Sequence, residues 1–235
     1  MIYLGVIALG LVMGSFLNVI IHRLPYGESI ISPCSHCPEC SHPLKTLDLV
    51  PLFSYLWLRG RCRYCKKSIS LGYPLVEALT AVAFLAIYSE HGLSLIAISG
   101  WLFSMLVIAA AMIDIYTGII PDKITFPGIA AGLVMSYFTV GVPGAVLGAV
   151  FFGGVLFLIA VISRGGMGGG DVKLALLIGA FTGMPGAFLA LVISSLTGGA
   201  YALGLLILKQ ATLKTAVRFG PFLALGGWLA LLKVI

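Results

Sequence analysis

Asp114 and Asp171 are two of only eight acidic residues in a chain of 235, and each stands at the edge of a membrane-length apolar run. Keeping a carboxylate at such a boundary is costly, so a pair of them points to chemistry. Asp114 lies in Ile113-Asp114-Ile115-Tyr116-Thr117-Gly118-Ile119-Ile120-Pro121-Asp122, and Asp171 closes the cluster Gly165-Gly166-Met167-Gly168-Gly169-Gly170-Asp171. Two carboxyl groups about 3 Å apart do not both ionise; they share one proton. The ionised member can then take a proton from water while the neutral member protonates a scissile carbonyl.

Each acid also has a plainer explanation. An aspartate at a helix start caps it and complements its dipole, which would account for Asp171 alone and for Asp122, placed after Pro121 and before an apolar run. Asp114 follows an uninterrupted apolar stretch from Trp101 and has no such role in view. The glycine cluster is not a phosphate loop, because Asp171 stands where that motif needs Lys and no Ser or Thr follows Lys173. It is not a dinucleotide fingerprint either, since no register places three glycines correctly and no strand precedes it. What the glycines supply is a backbone able to turn sharply and to approach a carboxylate or an extended peptide closely. Glu77, in Tyr73-Pro74-Leu75-Val76-Glu77, is placed to accept hydrogen bonds from a cationic ligand or cofactor, or from Arg and Lys of the preceding loop.

All five cysteines fall between residues 22 and 73, as Cys34 and the pairs Cys37/Cys40 and Cys62/Cys65. Two CxxC pairs at this separation resemble a zinc ribbon, in which each pair offers two thiolates to one tetrahedral ion in a closed, structural site. Metal binding would supply folding free energy that a segment of this size cannot obtain from apolar burial. The neighbouring Arg61, Arg63, Lys66 and Lys67 favour thiolates. Cys34, His36 and His42 leave open a ligand set in which one of them replaces a cysteine. Disulfides are disfavoured if the loop faces the cytoplasm.

The elements that must position these groups follow from composition. The chain is 60% hydrophobic and 9% charged, with mean hydropathy +1.12, which excludes an ordinary soluble domain. Apolar runs near 2–21, 74–90, 94–113, 124–140, 144–162, 172–184, 185–208 and 219–234 predict an all-α polytopic membrane protein of about eight transmembrane helices, with a zinc-ribbon-like loop between the first two. The first run has no basic segment before it and no small-residue cleavage site near its end, so a spanning helix is expected rather than a cleaved signal. The sixth and seventh runs are separated only by Gly183-Met184-Pro185-Gly186, which predicts a tight reversal.

With eight spans, Arg23, Lys45, Arg59, Arg61, Arg63, Lys66, Lys67, Lys123, Arg164, Lys173, Lys209, Lys214 and Arg218 share one face, and only Lys233 lies on the other. The positive-inside rule makes the rich face cytoplasmic and puts both termini outside. Merging the sixth and seventh spans would break this asymmetry. The basic charge is therefore a topology signal, and no nucleic-acid partner is expected. Asp114 and Asp171 then share one membrane depth at the cytoplasmic face. The expected division is 1–92 for the first two spans with their cysteine loop, 93–210 for the acid-bearing core, and 211–235 for a terminal helix.

Gly168-x-Gly170-Asp171, with Asp114 in a preceding Ile-Asp-x6-Pro-Asp segment, resembles the GxGD membrane aspartic peptidases. More narrowly, the chain is similar to the bacterial prepilin peptidases. The match runs through Gly14-Ser15-Phe16-Leu17-Asn18-Val19-Ile20-Ile21-His22-Arg23-Leu24-Pro25, the paired CxxC loop, Leu58-Arg59-Gly60-Arg61-Cys62-Arg63-Tyr64-Cys65, Tyr73-Pro74-Leu75-Val76-Glu77 and Gly170-Asp171-Val172-Lys173-Leu174. Leu49, where relatives often carry Asn, and Cys34 depart from the pattern. The resemblance implies Asp114 and Asp171 as the catalytic pair, with Gly168, Gly170, Asp122 and Lys173 supporting them. It implies prepilin or pseudopilin substrates with a short basic leader, cut at the cytoplasmic face of the bacterial inner membrane. It further implies S-adenosylmethionine as methyl donor to the new amine, with the methylating function associated with residues 1–92, and zinc on Cys37, Cys40, Cys62 and Cys65.

Two other classes compete. A transporter would use membrane carboxylates for protons or cations, but such sites usually sit near the midplane rather than at one face. A non-catalytic assembly factor of a pilus or secretion system would use the cysteine loop for docking.

Overall fold

The computed structural model describes residues 1–163, 166–209 and 217–234. Arg164, Gly165 and Lys214 of the sequence argument lie outside the described residues. Among those described, the chain is all-helical, with only two isolated β-bridges, and divides into two compact units, Met1–Leu93 and Ser94–Ile235.

In the first unit, α1 (Ile2–Arg23) and α3 (Gly72–His91) form an antiparallel hairpin. Gly10 and Gly14 lie one turn apart on α1, and a Cβ on either would stand 2.6 Å from the Cα of Ala81 or Glu77. Apolar burial gives little net drive between helices in lipid, so close backbone approach through small residues holds such a pair. Leu17, Ile21, Val76, Phe84 and Ile87 fill the seam. At one end the Asn18 side-chain amide donates to the Tyr73 carbonyl at 3.1 Å.

Between these helices lie a 3-10 turn (Thr46–Asp48), the short α2 (Phe53–Trp57) and two cysteine knuckles. The knuckles repeat the same backbone bonds 25 residues apart. Cys37 N–H donates to His42 O as Cys62 N–H does to Lys67 O, and Ser41 N–H donates to Cys37 O as Lys66 N–H does to Cys62 O. Ser41 and Lys66 both take positive φ, at 55° and 62°.

The second unit holds α4 (Leu95–Thr117), α5 (Asp122–Ser136), α6 (Val142–Ile162), α7 (Gly169–Ile207) and α8 (Gly220–Val234). Ser94 caps α4 by accepting the Ala97 N–H at 3.1 Å, and Gly118 ends it in the left-handed region at φ 71°. Residues Ile2–Tyr26 and the helices α3, α4, α6 and α7 are each long and apolar enough to cross a membrane; α8 is apolar but shorter.

The 39-residue α7 would be about 58 Å long if straight, twice a hydrocarbon core. It is broken at Gly183, where φ 64° and ψ −174° are not helical. Ile178, before the break, lies against Gly227 of α8, while Ser194, after it, lies against the adjacent Gly226. Farther along, Gly198 meets Phe219 and Gly186 meets Val234. The second half therefore runs back along α8, and α7 is a helical hairpin, as the Gly183–Gly186 signal predicts. Counting its halves separately, the eight expected apolar runs are all helical. The reversal packs against α6, where a Cβ on Gly148 would strike the Gly179 and Gly183 backbone.

Candidate functional site

Asp114 sits in the last turn of α4 and Asp171 in the first turn of α7, so both lie at the same end of the second unit. Asp114 is 5% exposed. Its Oδ2 accepts the backbone N–H of Gly220, the first residue of α8, at 3.0 Å, and the Arg218 guanidinium acts on its charge. Asp171 is half-buried and lies within electrostatic reach of the Asp114 carboxyl, with the Gly168 N–H directed at it. The free N–H groups that open a helix carry partial positive charge. The start of α8 thus meets the Asp114 carboxyl, and the start of α7 carries Asp171 within reach of its charge.

The glycines serve this approach. Gly168 is the N-cap of α7, and a Cβ there would stand 3.3 Å from Asp171 Oδ2; one on Gly170 would stand 3.0 Å from Ile120 Cβ, in the segment after α4. Asp122 is placed differently from Asp114 and Asp171. It opens α5, is 56% exposed on its side chain, and forms an ion pair with Lys173, whose Nζ also lies 5.4 Å from the Phe126 ring centre. Gly220 and Arg218 were not singled out in the sequence, although Gly220-Pro221 at the head of the last apolar run is a recognisable helix start.

In the first unit, the sulfurs of Cys37, Cys40, Cys62 and Cys65 all lie within 4.8 Å of one another, and Cys37 Sγ and Cys65 Sγ are 3.9 Å apart. This cluster could hold a metal ion. Cys34 is an exposed free thiol outside it, and the His42 ring packs against Tyr64 at a tilt of 36°, with ring centres 3.7 Å apart. The Cys65 backbone N–H leads in drawing the Cys62 thiol down to about 7 against burial, with help from the Tyr64 N–H. At Cys65 the Lys67 N–H is outweighed by burial and by the three neighbouring sulfurs, and the thiol is pushed up to about 11.

Asp48 braces the second knuckle from the 3-10 turn. It accepts from Arg63 Nε at 2.6 Å, from the Tyr64 hydroxyl at 3.1 Å and from the Lys45 N–H at 3.1 Å. Burial opposes its charge, but these donors prevail and hold the carboxyl below its ordinary value. Glu77, 8% exposed on α3, pairs with neither Arg nor Lys of the loop; its Oε2 accepts the Leu52 N–H at 2.8 Å, and Ser15 of α1 bonds to it as well.

Apolar helices of spanning length, one of them folded back on itself at Gly183, define a polytopic helical membrane protein with Asp114 and Asp171 at one end of its second unit. The chain belongs to the type IV leader peptidase family. The model of that family matches residues 101–203, and the model for the bacterial peptidase A24 N-terminal domain matches 8–91, one in each structural unit. Curated relatives named prepilin leader peptidase/N-methyltransferase are 35% identical in Pseudomonas putida (95% of this chain, 88% of the relative) and 35% in Aeromonas hydrophila (94% and 87%). The relative of that name in Stutzerimonas stutzeri is 33% identical (96% and 89%). No solved structure matches the chain.

Proposed function

We infer that this chain removes the leader peptide from prepilins and then N-methylates the new terminus. The observation that carries the reading is 35% identity over nearly the full length to enzymes bearing that double name, in a chain with Asp114 and Asp171 at one end of the same unit. Asp114 and Asp171 form the catalytic pair. One carboxylate takes a proton from the attacking water, and its protonated partner donates to the carbonyl oxygen of the scissile peptide. The Gly220 and Gly168 N–H groups orient the two carboxyl groups. Gly170 lets α7 approach the segment after α4, and the exposed Asp122–Lys173 pair steadies the starts of α5 and α7 without entering the chemistry.

Residues 1–92 carry the methylation-associated region, 93–210 the peptidase core and 211–235 a terminal span. The cysteine cluster holds zinc. Four Zn–S bonds of about 2.3 Å in a tetrahedron separate the sulfurs by about 3.8 Å, close to the 3.9 Å between Cys37 and Cys65. Such a closed site fixes the two knuckles to each other rather than entering catalysis. S-adenosylmethionine supplies the methyl group. Glu77 acts on that activity by anchoring the loop through Leu52. The basic residues that share one face support a cytoplasmic active site in the bacterial inner membrane, with the N-terminus outside. That face is where the leader of a membrane-inserted prepilin helix would meet the pair.

Terminal mass spectrometry of a co-expressed prepilin tests the reading. The native chain is expected to yield a cleaved, N-methylated product, and uncut precursor from the native chain would overturn it.

A further inference from the structure

The short helix α2 turns an apolar face outward. Phe53, Leu56 and Trp57, at positions i, i+3 and i+4 of one helical face, are 60, 72 and 71% exposed, while Tyr55 and Leu58 are half-buried. The Phe53 and Trp57 rings stack with centres 5.8 Å apart, and Leu47 and Val50 extend the surface along a shallow groove of about 250 Å³. Three large apolar side chains on one turn of helix are not left in water without cause.

The anchor at the start of this helix fixes its depth. The Leu52 N–H, at a residue held at φ 57°, donates to Glu77 Oε2. Glu77 is the sixth residue of α3, about 7.5 Å inside that helix at 1.5 Å per residue. Because α3 is a candidate membrane span, the first turn of α2 sits level with its outermost turns, the layer occupied by phospholipid head groups. Tryptophan and phenylalanine favour that layer, and a short helix with one apolar face lies in its plane. The residues that follow, Arg59, Arg61, Lys66 and Lys67, are exposed and basic, matching anionic head groups.

We propose that α2 is an interfacial foot: its Phe53–Leu56–Trp57 face rests in the head-group–acyl boundary of the bilayer that α1 and α3 cross, with Arg59, Arg61, Lys66 and Lys67 against anionic phospholipid. The foot holds the second cysteine knuckle at the lipid surface. This inference rests on the membrane assignment of α1 and α3 and not on the catalytic pair, so it stands or falls apart from the peptidase reading.

The test uses the full chain in lipid nanodiscs of phosphatidylcholine and phosphatidylglycerol, with phospholipid brominated near the head-group end of its acyl chains. The double substitution Trp101→Phe/Trp228→Phe leaves Trp57 as the sole tryptophan. Loss of most Trp57 emission to the brominated lipid, with little quenching by aqueous acrylamide, is expected. Free access of acrylamide with no loss to brominated lipid overturns the proposal. So does shielding from both, which would mean that protein covers the face. Omitting phosphatidylglycerol is expected to raise acrylamide access, and unchanged access removes the role of the basic residues. Trp228 Nε1 donates to Ser104 Oγ, so its loss can disturb α8. The difference in quenching between the native chain and Trp57→Phe gives the same quantity with that bond intact.

Discussion

At the scale of single residues, the structure separates groups that the sequence could only rank. Asp114 and Asp171 lie at the same end of the second unit within reach of each other's charge, whereas Asp122 is exposed and ion-paired with Lys173, an arrangement worth at most about 1 kcal/mol. Asp122→Asn is therefore expected to leave prepilin cleavage within a few-fold of the native rate, and a loss as deep as that from Asp114→Asn would make Asp122 a catalytic acid. Asp48 carries a pH dependence of its own. Its folded carboxyl is held below the ordinary value, so its contribution to stability is full above the unfolded value of about 3.9 and fades as pH falls through the folded one. Asp48→Asn is expected to destabilise the first unit by about 1.5–3 kcal/mol near neutrality, the usual cost of losing hydrogen bonds to a charged group. The gap from the native chain should narrow below about pH 4. Limited proteolysis of the loop across that range measures it, and a constant gap would contradict the role given to the Asp48 charge. The sequence singled out Asp114 and Asp171 because charge is rare in this chain. It did not show Gly220 or the Asp48–Arg63–Tyr64 network, because partners 106 and 15 residues apart leave no local pattern.

At the scale of elements, hydropathy was enough to locate the apolar helices among the described residues, including the two halves of α7. The reversal was legible because glycine and proline cluster there and because the basic residues demanded an even count. The sequence could not show which glycines form helix contacts. Thirty glycines look alike in composition, yet Gly148 and Gly179 touch backbone to backbone while Gly144 and Gly154 face open space. Gly179→Val is expected to lower thermal stability in detergent by about 1–3 kcal/mol or more, the usual cost of overpacking, because the obstructing atoms are backbone and cannot rotate away. Gly154→Val should change it little. Equal effects at the two positions would show that α6 and α7 do not meet as described.

At the scale of the molecule, each of the two units matches one family model. If methylation belongs to the first unit, Cys37→Ser or Cys62→Ser should abolish bound zinc and methylation while leaving proteolysis, with metal content and product mass read on the same sample. Methylated product from a zinc-free variant would sever the link between the cluster and that activity. Cysteine spacing made the four-sulfur cluster legible, but a role for the loop is suggested only by family resemblance, since four thiolates alone specify a fold and not a reaction. The central claim is that Asp114 and Asp171 cut the leader. Terminal mass spectrometry of a prepilin co-expressed with Asp171→Asn, beside the native chain, tests it most directly. The account predicts uncut precursor from the variant and cleaved, methylated pilin from the native chain; mature pilin from the variant would contradict it.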